Sequence, residues 1–174
     1  MYSLNIKGTI LYLRDFGVND LEHVLKWFND IDDFKYATGI FEPVTIKEVK
    51  SYFFKNFFSQ KDFCLGIFSI ESGKMIGFLK GQITNGFEDT AWINTIMIEP
   101  GLQRKGYGTE VVNMLIGYLK ENTKVTKIYL SVCEENIIGK LFWKKQNFSE
   151  IMRINKSFAS NYEQQGISIM CRQI

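Results

Sequence analysis

The chain alternates between segments with the apolar spacing of strands and segments with the apolar spacing of helices. Seven apolar runs, rich in β-branched and aromatic residues, predict strands. They cover residues 10–14, 63–71, 75–83, 90–98, 128–133, 149–156 and 166–172. Short turn segments at 72–74 and 84–86 separate the second, third and fourth runs, which predicts an antiparallel meander.

Four other segments carry apolar residues every three or four positions, which predicts helices. The first begins with Asn19 as its N-cap, and the second begins at a capping box formed by Thr45 and Glu48. The third follows the fourth strand, and the last covers residues 136–146. Residues 29–43 mix acids with aromatics and have no helical period, so we expect a loop there.

The composition of the 174 residues, 45% hydrophobic and 23% charged, is that of an ordinary globular protein. The net charge of +2 comes without a long basic run and disfavours nucleic acid as a partner. The chain shows neither a signal sequence nor an apolar run long enough to span a bilayer. We therefore expect a cytoplasmic protein without membrane contact.

Three cysteines, Cys64, Cys133 and Cys171, lie far apart in strand-like apolar segments and predict buried, reduced thiols. His23 is the only histidine. Catalysis by a Cys–His pair and a zinc site are both disfavoured, because each needs histidines or clustered cysteines that this chain lacks. We therefore expect no metal site.

A basic turn, residues 99–108, joins the fourth strand to the third helix. Gly106 and Gly108 remove side chains from its end, so backbone N–H groups at the helix start can approach an anion closely. Arg104 and Lys105 add positive charge beside them. The turn therefore predicts a phosphate or pyrophosphate site. A Walker loop and a dinucleotide fingerprint fit worse, because the first needs Lys and Ser or Thr after the second Gly and the second needs a third Gly.

Two motifs together resemble those of the GNAT superfamily of N-acetyltransferases. Residues 103–108, QRKGYG, are similar to its acetyl-CoA signature, Gln/Arg-x-x-Gly-x-Gly/Ala. Residues 136–148 resemble its later motif, in which an Asn opens a helix. Two positions depart from that motif. Trp143 stands where the family has Tyr, and Asn147 stands where it has Gly, although Asn tolerates the left-handed backbone that a Gly adopts.

The resemblance implies an α/β protein of the α+β type with the GNAT fold, in one domain over residues 1–174. Its central, mostly antiparallel mixed sheet would have six to seven strands, flanked by about four helices. In this fold the two strands that carry the motifs splay apart, and the pantetheine arm of acetyl-CoA lies between them. Family members are often dimers, so a homodimer is also implied. The residues implied to bind acetyl-CoA are Ile96, Met97, Ile98, Gln103, Arg104, Lys105, Gly106, Tyr107, Gly108, Thr109, Asn136 and Trp143.

Acetyl transfer requires a neutral amine held against a polarised thioester. The backbone N–H of Met97 or Ile98 is the expected oxyanion donor. Related enzymes that acetylate protein N-termini use a Glu as base and a Tyr as acid, whose places here hold Ser131 and Trp143. Other carboxylates remain as candidate bases, although for each the interpretation as a solvated surface group is favoured. They are Glu134, Glu135 and Asp89, with Glu88 beside the last.

The acids and aromatics of residues 29–43 would suit a cationic amine with an apolar body. The other interpretation is that the acids solvate a loop and the aromatics close the core. The substrate-binding candidates are Trp27, Asp33, Tyr36 and Phe41. We therefore expect an N-acetyltransferase that moves acetyl from acetyl-CoA to a primary amine of a small molecule or protein N-terminus in one ternary complex. The alternative is a non-catalytic acyl-CoA-binding regulatory domain.

Overall fold

The computed structural model describes residues 3–57, 59–157 and 164–174, and within them eight strands form one open sheet. The strands are β1 Asn5–Lys7, β2 Leu11–Asp15, β3 Asp62–Ser69, β4 Met75–Thr84, β5 Thr90–Ile98, β6 Lys127–Cys133, β7 Ser149–Ser157 and β8 Gln164–Gln173. Their order across the sheet is β1-β2-β3-β4-β5-β6-β8-β7. All neighbours are antiparallel except β5 and β6, which are parallel.

Five helices, in the described residues, cover the two faces of this sheet. They are α1 Leu21–Phe28, α2 Ile31–Thr38, α3 Ile46–Phe57, α4 Tyr107–Asn122 and α5 Ile137–Lys145. Leu21, Phe34 and Phe53 of the first three helices share one buried cluster with Phe78 of β4. Residues of α4 and α5 share a second cluster with Leu79 and other strand residues on the opposite face. The sheet is therefore a layer between two helical layers.

The α+β class and the mixed, mostly antiparallel sheet are confirmed, but the numbers of elements differ slightly from the expectation. The eight described strands exceed the expected six to seven because the three residues of β1 are too few to give an apolar pattern. The five described helices exceed the expected four because the predicted loop at 29–43 contains α2. That helix buries only Phe34, at 3% exposure, so its apolar period is too weak to recognise.

The predicted start of α1 is wrong in detail, whereas that of α3 is confirmed. A 3-10 turn precedes α1, and Asn19 makes no capping bond there. The buried carboxylate of Asp20 instead accepts the N–H of Gly17 at 2.9 Å and pairs with Arg14. This pairing raises the pKa of the Arg14 guanidinium, mainly through the hydrogen bond. At α3, by contrast, side-chain and backbone groups of Thr45 bond reciprocally with Glu48, as a capping box requires.

The three cysteines are all free thiols. Cys64 is buried, and burial raises the pKa of its thiol to about 11, which makes it a poor nucleophile. Cys133 and Cys171 are half-buried rather than fully buried. None of the described helices is long and apolar enough to cross a membrane.

Candidate functional site

Strands β5 and β6 are paired only over their first halves. Residues 90–93 pair with residues 127–130, and the pairing stops there. Beyond that point β5 stays paired with β4 as far as Ile98, and β6 stays paired with β8 as far as Cys133. Asn94 is an extra, bulged residue in β5 where the two strands part. The result is a V-shaped opening between residues 94–98 and residues 131–133, which we call the β5–β6 opening.

The peptide groups of β5 alternate between β4 and this opening. The N–H of Glu99 donates to the carbonyl oxygen of Ile76 on β4 at 2.8 Å. Because hydrogen-bonded pairs alternate in an antiparallel ladder, Met97 exchanges its bonds with Phe78 two residues earlier. The N–H of Met97 therefore points to β4 and away from the opening. Of the two expected oxyanion donors, only Ile98 faces the opening.

The N–H and carbonyl groups of Ile96 and Ile98 lie on the open side of β5 by the same alternation. The side-chain amide of Gln103 donates to the carbonyl oxygen of Ile98 at 3.0 Å, which fixes the basic turn against the end of the strand. Among the described residues the remaining groups have no backbone partner, so they present a strand edge with which an extended molecule that has amide groups can pair as a further strand would.

The basic turn points a row of backbone N–H groups outwards. Arg104 and Gly106 adopt left-handed backbone angles, with φ of 59° and 90°. From Arg104 to Thr109 no N–H group donates to an acceptor among the described residues, since Tyr107 begins α4. The side chains of Arg104 and Lys105 are exposed and have no carboxylate partner in the described part of the chain. The turn is therefore a cationic nest suited to a pyrophosphate.

The start of α4 packs directly on α5. A Cβ atom added to Gly108 would lie 3.3 Å from the Phe142 ring, so the glycine permits this close approach. The hydroxyl oxygen of Thr109 accepts a hydrogen bond of 3.0 Å from the side-chain amide of Gln146. The backbone carbonyl of Gln146 in turn accepts from Arg172 on β8 at 2.8 Å. These contacts hold α4 and α5, the helices that belong to the two sequence motifs, together at one end of the β5–β6 opening.

Helix α5 contributes its N-cap and an exposed apolar stripe. The side chain of Asn136 accepts the N–H of Gly139 at 2.8 Å, so its first role is to start the helix. Ile138 and Leu141, one turn apart, are 70% and 55% exposed beside the turn that carries Gly108. Sequence reasoning missed this stripe, because it resembles the buried face of an ordinary amphipathic helix.

The ring of Trp143 is part of the core. It is 7% exposed and packs edge-on against Phe142 and Phe148, with ring centroids 4.9 and 5.1 Å away. Its indole N–H has no hydrogen-bond partner among the described residues and is not sealed from solvent. The side chain can therefore touch a ligand only through that edge.

Asp89 lies at the wrong end of the sheet to act as base. It immediately precedes β5, whereas the opening begins at Asn94 and the basic turn follows Ile98. Ile96 follows Asp89 by seven positions along the chain, which is about 23 Å at about 3.3 Å per residue in a strand. Glu88 lies at the same far end and pairs with Lys127 at 2.8 Å. Both therefore lie away from the β5–β6 opening, at the opposite end of β5.

The other two candidate bases follow β6 at the outer end of the opening. Glu134 bonds to Lys140 at 2.7 Å and to the hydroxyl of Ser168, and these bonds hold the pKa of its carboxyl below the ordinary value. A carboxylate held in this way is a weak proton acceptor. Glu135 is exposed and has no ion pair or hydrogen bond from its side chain in the described part of the chain. Ser131, in the place of the family's base, is also exposed.

A cavity of about 250 Å³ lies between the first three helices and β5. Its lining residues come from α1, the end of α2, the segment before α3, α3 itself and β5. They are Phe28, Thr38, Ile40, Val44, Glu48, Val49, Tyr52 and Thr95. Because Thr95 is the neighbour of Ile96 along β5, the cavity adjoins the β5–β6 opening. We call it the acceptor cavity.

None of the four expected substrate-binding residues lines this cavity. Trp27 is 1% exposed, so a substrate cannot reach its ring and we remove it from the candidates. Asp33, Tyr36 and Phe41 are exposed on α2 or just after it. Sequence reasoning missed the polar lining residues Thr38, Glu48, Tyr52 and Thr95, which distant segments bring together.

The described residues include no group of three or more His, Cys, Asp or Glu side chains that could hold a metal ion. One carboxylate, that of Glu48, lines the acceptor cavity. Hydrogen bonds from the backbone and hydroxyl of Thr45 hold the pKa of Glu48 below its ordinary value. The carboxylate therefore stays charged at neutral pH and makes one wall of the cavity acidic.

Comparisons with known proteins identify the same family that the two motifs resemble. A sequence model described as "Acetyltransferase (GNAT) family" matches residues 23–148. Among solved structures, spermidine N-acetyltransferase from Vibrio cholerae, in complex with CoA and spermine, has a TM-score of 0.81 at 22% identity, covering 95% of this chain and 96% of that chain. A GNAT-family acetyltransferase from Bacillus anthracis has a TM-score of 0.81 at 19% identity, covering 98% of both chains.

A third similar structure is the Salmonella typhimurium acetyl transferase that modifies the N-terminal serine of the 50S ribosomal subunit protein L7/L12. Its TM-score is 0.83 at 14% identity, covering 98% of this chain and 99% of that chain. A comparison with curated proteins found no match. At these identities the solved structures establish a shared fold and leave the substrate open.

Proposed function

Because this chain belongs to the GNAT family of acetyltransferases, we propose that it transfers acetyl from acetyl-CoA to a primary amine of a small molecule or a protein N-terminus. One observation carries the proposal. The β5–β6 opening has the basic turn at its outer end and adjoins the acceptor cavity through Thr95. A thioester can therefore enter from one side and an amine from the other.

The cofactor is held mainly by backbone groups in this proposal. The N–H groups of residues 104–109 bind the pyrophosphate, with Arg104 and Lys105 beside it. The free edge of β5 at Ile96 and Ile98 pairs with the amides of the pantetheine arm. Ile138 and Leu141 cover the arm with apolar surface. Asn136 acts indirectly, since it caps the helix that presents this surface.

The oxyanion that forms on the thioester is stabilised by a backbone N–H group that faces the opening. The pantetheine arm enters at the basic turn, so its thioester end lies nearest to the point where the strands part. Ile96 is closer to that point than Ile98, and both present their N–H groups to the opening. We therefore assign the donor to Ile96, with Ile98 pairing to the arm, and we withdraw Met97 from this role.

The reaction is a direct attack in the ternary complex. The neutral amine nitrogen attacks the thioester carbon, a C–N bond forms, and the C–S bond breaks as the CoA thiolate leaves. The amine proton passes to water, and the thiolate takes up a proton from water. Ser131 and Trp143 occupy the usual places of base and acid. Most of the rate enhancement therefore comes from holding the amine in position against the thioester. A thiol with a pKa of about 8.5 leaves readily without an acid.

The alternative function is binding of acyl-CoA without catalysis. The observation that favours it is the same pair of replacements, since Ser131 cannot act as a base and the indole of Trp143 is not an acid. Both functions predict that acetyl-CoA binds. Only the first predicts turnover in the presence of an amine.

Release of CoA thiol from acetyl-CoA tests the proposal, with spermidine, spermine, an aminoglycoside, amino acids and a short peptide beginning with Ser as acceptors. We expect release above the acceptor-free control with one class of amine, and a mass increase of that amine by one acetyl group. The Gly108→Asp variant serves as a control that lacks a functional cofactor site. Acetyl-CoA binding without release from any acceptor would contradict catalysis and favour the alternative.

A further inference from the structure

A buried ammonium group lies beside the acceptor cavity. Lys80, in the middle of β4, is 9% exposed. Its Nζ donates a 2.8 Å hydrogen bond to the hydroxyl of Tyr52 and lies 4.4 Å from the centroid of that ring. Among the described residues no carboxylate lies within 4.0 Å of this ammonium. Within the described residues, Lys80 is therefore a buried cation without a counter-ion.

Such a group is unusual because burial of a charge is unfavourable unless an opposite charge or several hydrogen bonds compensate. One hydroxyl and the face of one ring supply only part of that compensation. An ammonium has three donors, and the described residues give Lys80 one side-chain acceptor, the Tyr52 hydroxyl. The remaining donors and the uncompensated charge favour an anion from outside the protein.

The position of Lys80 gives a ligand access to it from the cavity. Tyr52, its hydrogen-bond partner, lines the acceptor cavity. Thr95 also lines the cavity and is the cross-strand partner of Lys80, so the two side chains leave the same face of the sheet as neighbours. Lys80 therefore lies beside the cavity and next to Thr95, which is the neighbour along β5 of Ile96, the assigned oxyanion donor.

We propose that the ammonium of Lys80 and the hydroxyl of Tyr52 bind a carboxylate of the acceptor, which is an amino acid with an apolar side chain. This inference rests on the proposed function. Because Lys80 pairs across the strands with Thr95, the neighbour of Ile96, the site suits a carboxylate one or two carbons from the reacting amine. Phe28, Ile40 and Val44 provide the apolar wall for the side chain. A polyamine would instead place a second cation against Lys80.

Matched pairs of amines isolate the carboxylate. Phenylalanine is compared with 2-phenylethylamine, and methionine with 3-(methylthio)propylamine, by kcat/KM for CoA release. In the wild-type protein we expect each amino acid to exceed its decarboxylated partner by about tenfold or more, the usual effect of a charge-assisted hydrogen bond. In Lys80→Met this preference should fall to about twofold or less, and Lys80→Arg should retain most of it.

Controls separate this role from a structural one. Lys80→Met should keep the acetyl-CoA affinity of the wild type, because Lys80 is no part of the proposed cofactor site. If that variant does not fold, Tyr52→Phe keeps the ring and removes the hydroxyl, and it should lower the preference for phenylalanine about threefold. Calorimetric binding of 3-phenylpropanoate, which lacks the amine, tests the site without turnover, and Lys80→Met should abolish it.

Failure of this inference and failure of the proposed function give different results. A wild-type protein that acetylates 2-phenylethylamine or spermidine better than phenylalanine would overturn the carboxylate site and leave acetyl transfer intact. Absence of acetylation with every acceptor, with acetyl-CoA still bound, would overturn the proposed function. In that case 3-phenylpropanoate binding that depends on Lys80 would still support the site, and its absence would overturn the site as well.

Discussion

The indole N–H of Trp27 donates a 2.5 Å hydrogen bond to the carboxylate of Glu99, the residue that follows β5. Lys26, one residue earlier on α1, donates to the other carboxylate oxygen at 3.0 Å. The backbone N–H of Glu99 is bound to Ile76 of β4. Helix α1 and the sheet thus hold the first residue of the basic turn from two sides, which couples the acceptor side of the protein to the cofactor side.

The pH dependence of stability should report on this bond. Burial acts to raise the pKa of Glu99, but hydrogen bonds from Trp27 and Lys26 outweigh it and hold the pKa below its ordinary value. A carboxyl whose folded pKa is depressed stabilises the fold above its unfolded pKa, and that stability is lost as the pH falls through the folded value. The free energy of unfolding in urea should therefore fall less between about pH 5 and pH 3 in Glu99→Gln than in the wild type. Glu22→Gln, an exposed change on α1, is the control, and equal slopes for wild type and Glu99→Gln would contradict the coupling.

Replacement of Gly108 by Asp should abolish cofactor binding. The new carboxylate would lie at the N-terminus of α4, where the pyrophosphate is proposed to bind, and repel it. We expect acetyl-CoA to bind at least about a hundredfold more weakly by calorimetry. Gly117→Asp is the matched control, because it makes the same change in the same helix at a position with open space around an added Cβ. Gly108→Ala measures the effect of crowding Phe142 alone, and unchanged affinity in Gly108→Asp would refute the assigned site.

A Tyr at position 143 should add little to catalysis. The thiolate of CoA already leaves readily, so we expect kcat of Trp143→Tyr to stay within about threefold of the wild type. The smaller ring should leave space between Phe142 and Phe148 and lower the free energy of unfolding by about 1–2 kcal/mol. Trp143→Phe is the control, because it has the same ring as the Tyr variant without the hydroxyl. A rise in kcat of tenfold or more in the Tyr variant, but not in the Phe variant, would show that a missing acid limits turnover.

The carboxylates after β6 should contribute little to proton removal. If the amine reacts in its neutral form and gives its proton to water, kcat/KM should rise about tenfold per pH unit below the pKa of the amine. Glu134→Gln and Glu135→Gln should each keep this profile and remain within about threefold of the wild-type kcat/KM. Loss of activity by about a hundredfold in either variant, together with a changed pH profile, would identify that residue as the base instead.

Much of the fold can be predicted from local patterns in the sequence. Strand β5 was predicted with its observed bounds, Thr90–Ile98, because its apolar run ends at a proline turn. The capping box at Thr45 was predicted because it depends on residues only three positions apart. Asn147 has a positive φ of 60°, as expected of an Asn in the place of a Gly. Each of these features is decided by a few neighbouring residues.

The acceptor cavity could not be predicted in the same way. Lys80, Tyr52 and Thr95 come from three elements, and only the register of β4 on β5 and the packing of α3 bring them together. For a related reason, the closeness of Asp89 to β5 in sequence does not tell that it lies at the end of the strand away from the β5–β6 opening. Such features depend on the assembled sheet rather than on the local sequence.

A crystal structure of the protein with bound CoA would test the central claim most directly. We predict that the pyrophosphate lies within hydrogen-bonding distance of N–H groups between residues 104 and 109. The pantetheine arm should run along β5 in the β5–β6 opening, with its thiol beside Ile96 and next to the acceptor cavity. CoA bound elsewhere on the protein, or an arm that follows the outer surface of α5 and leaves the opening empty, would contradict the account.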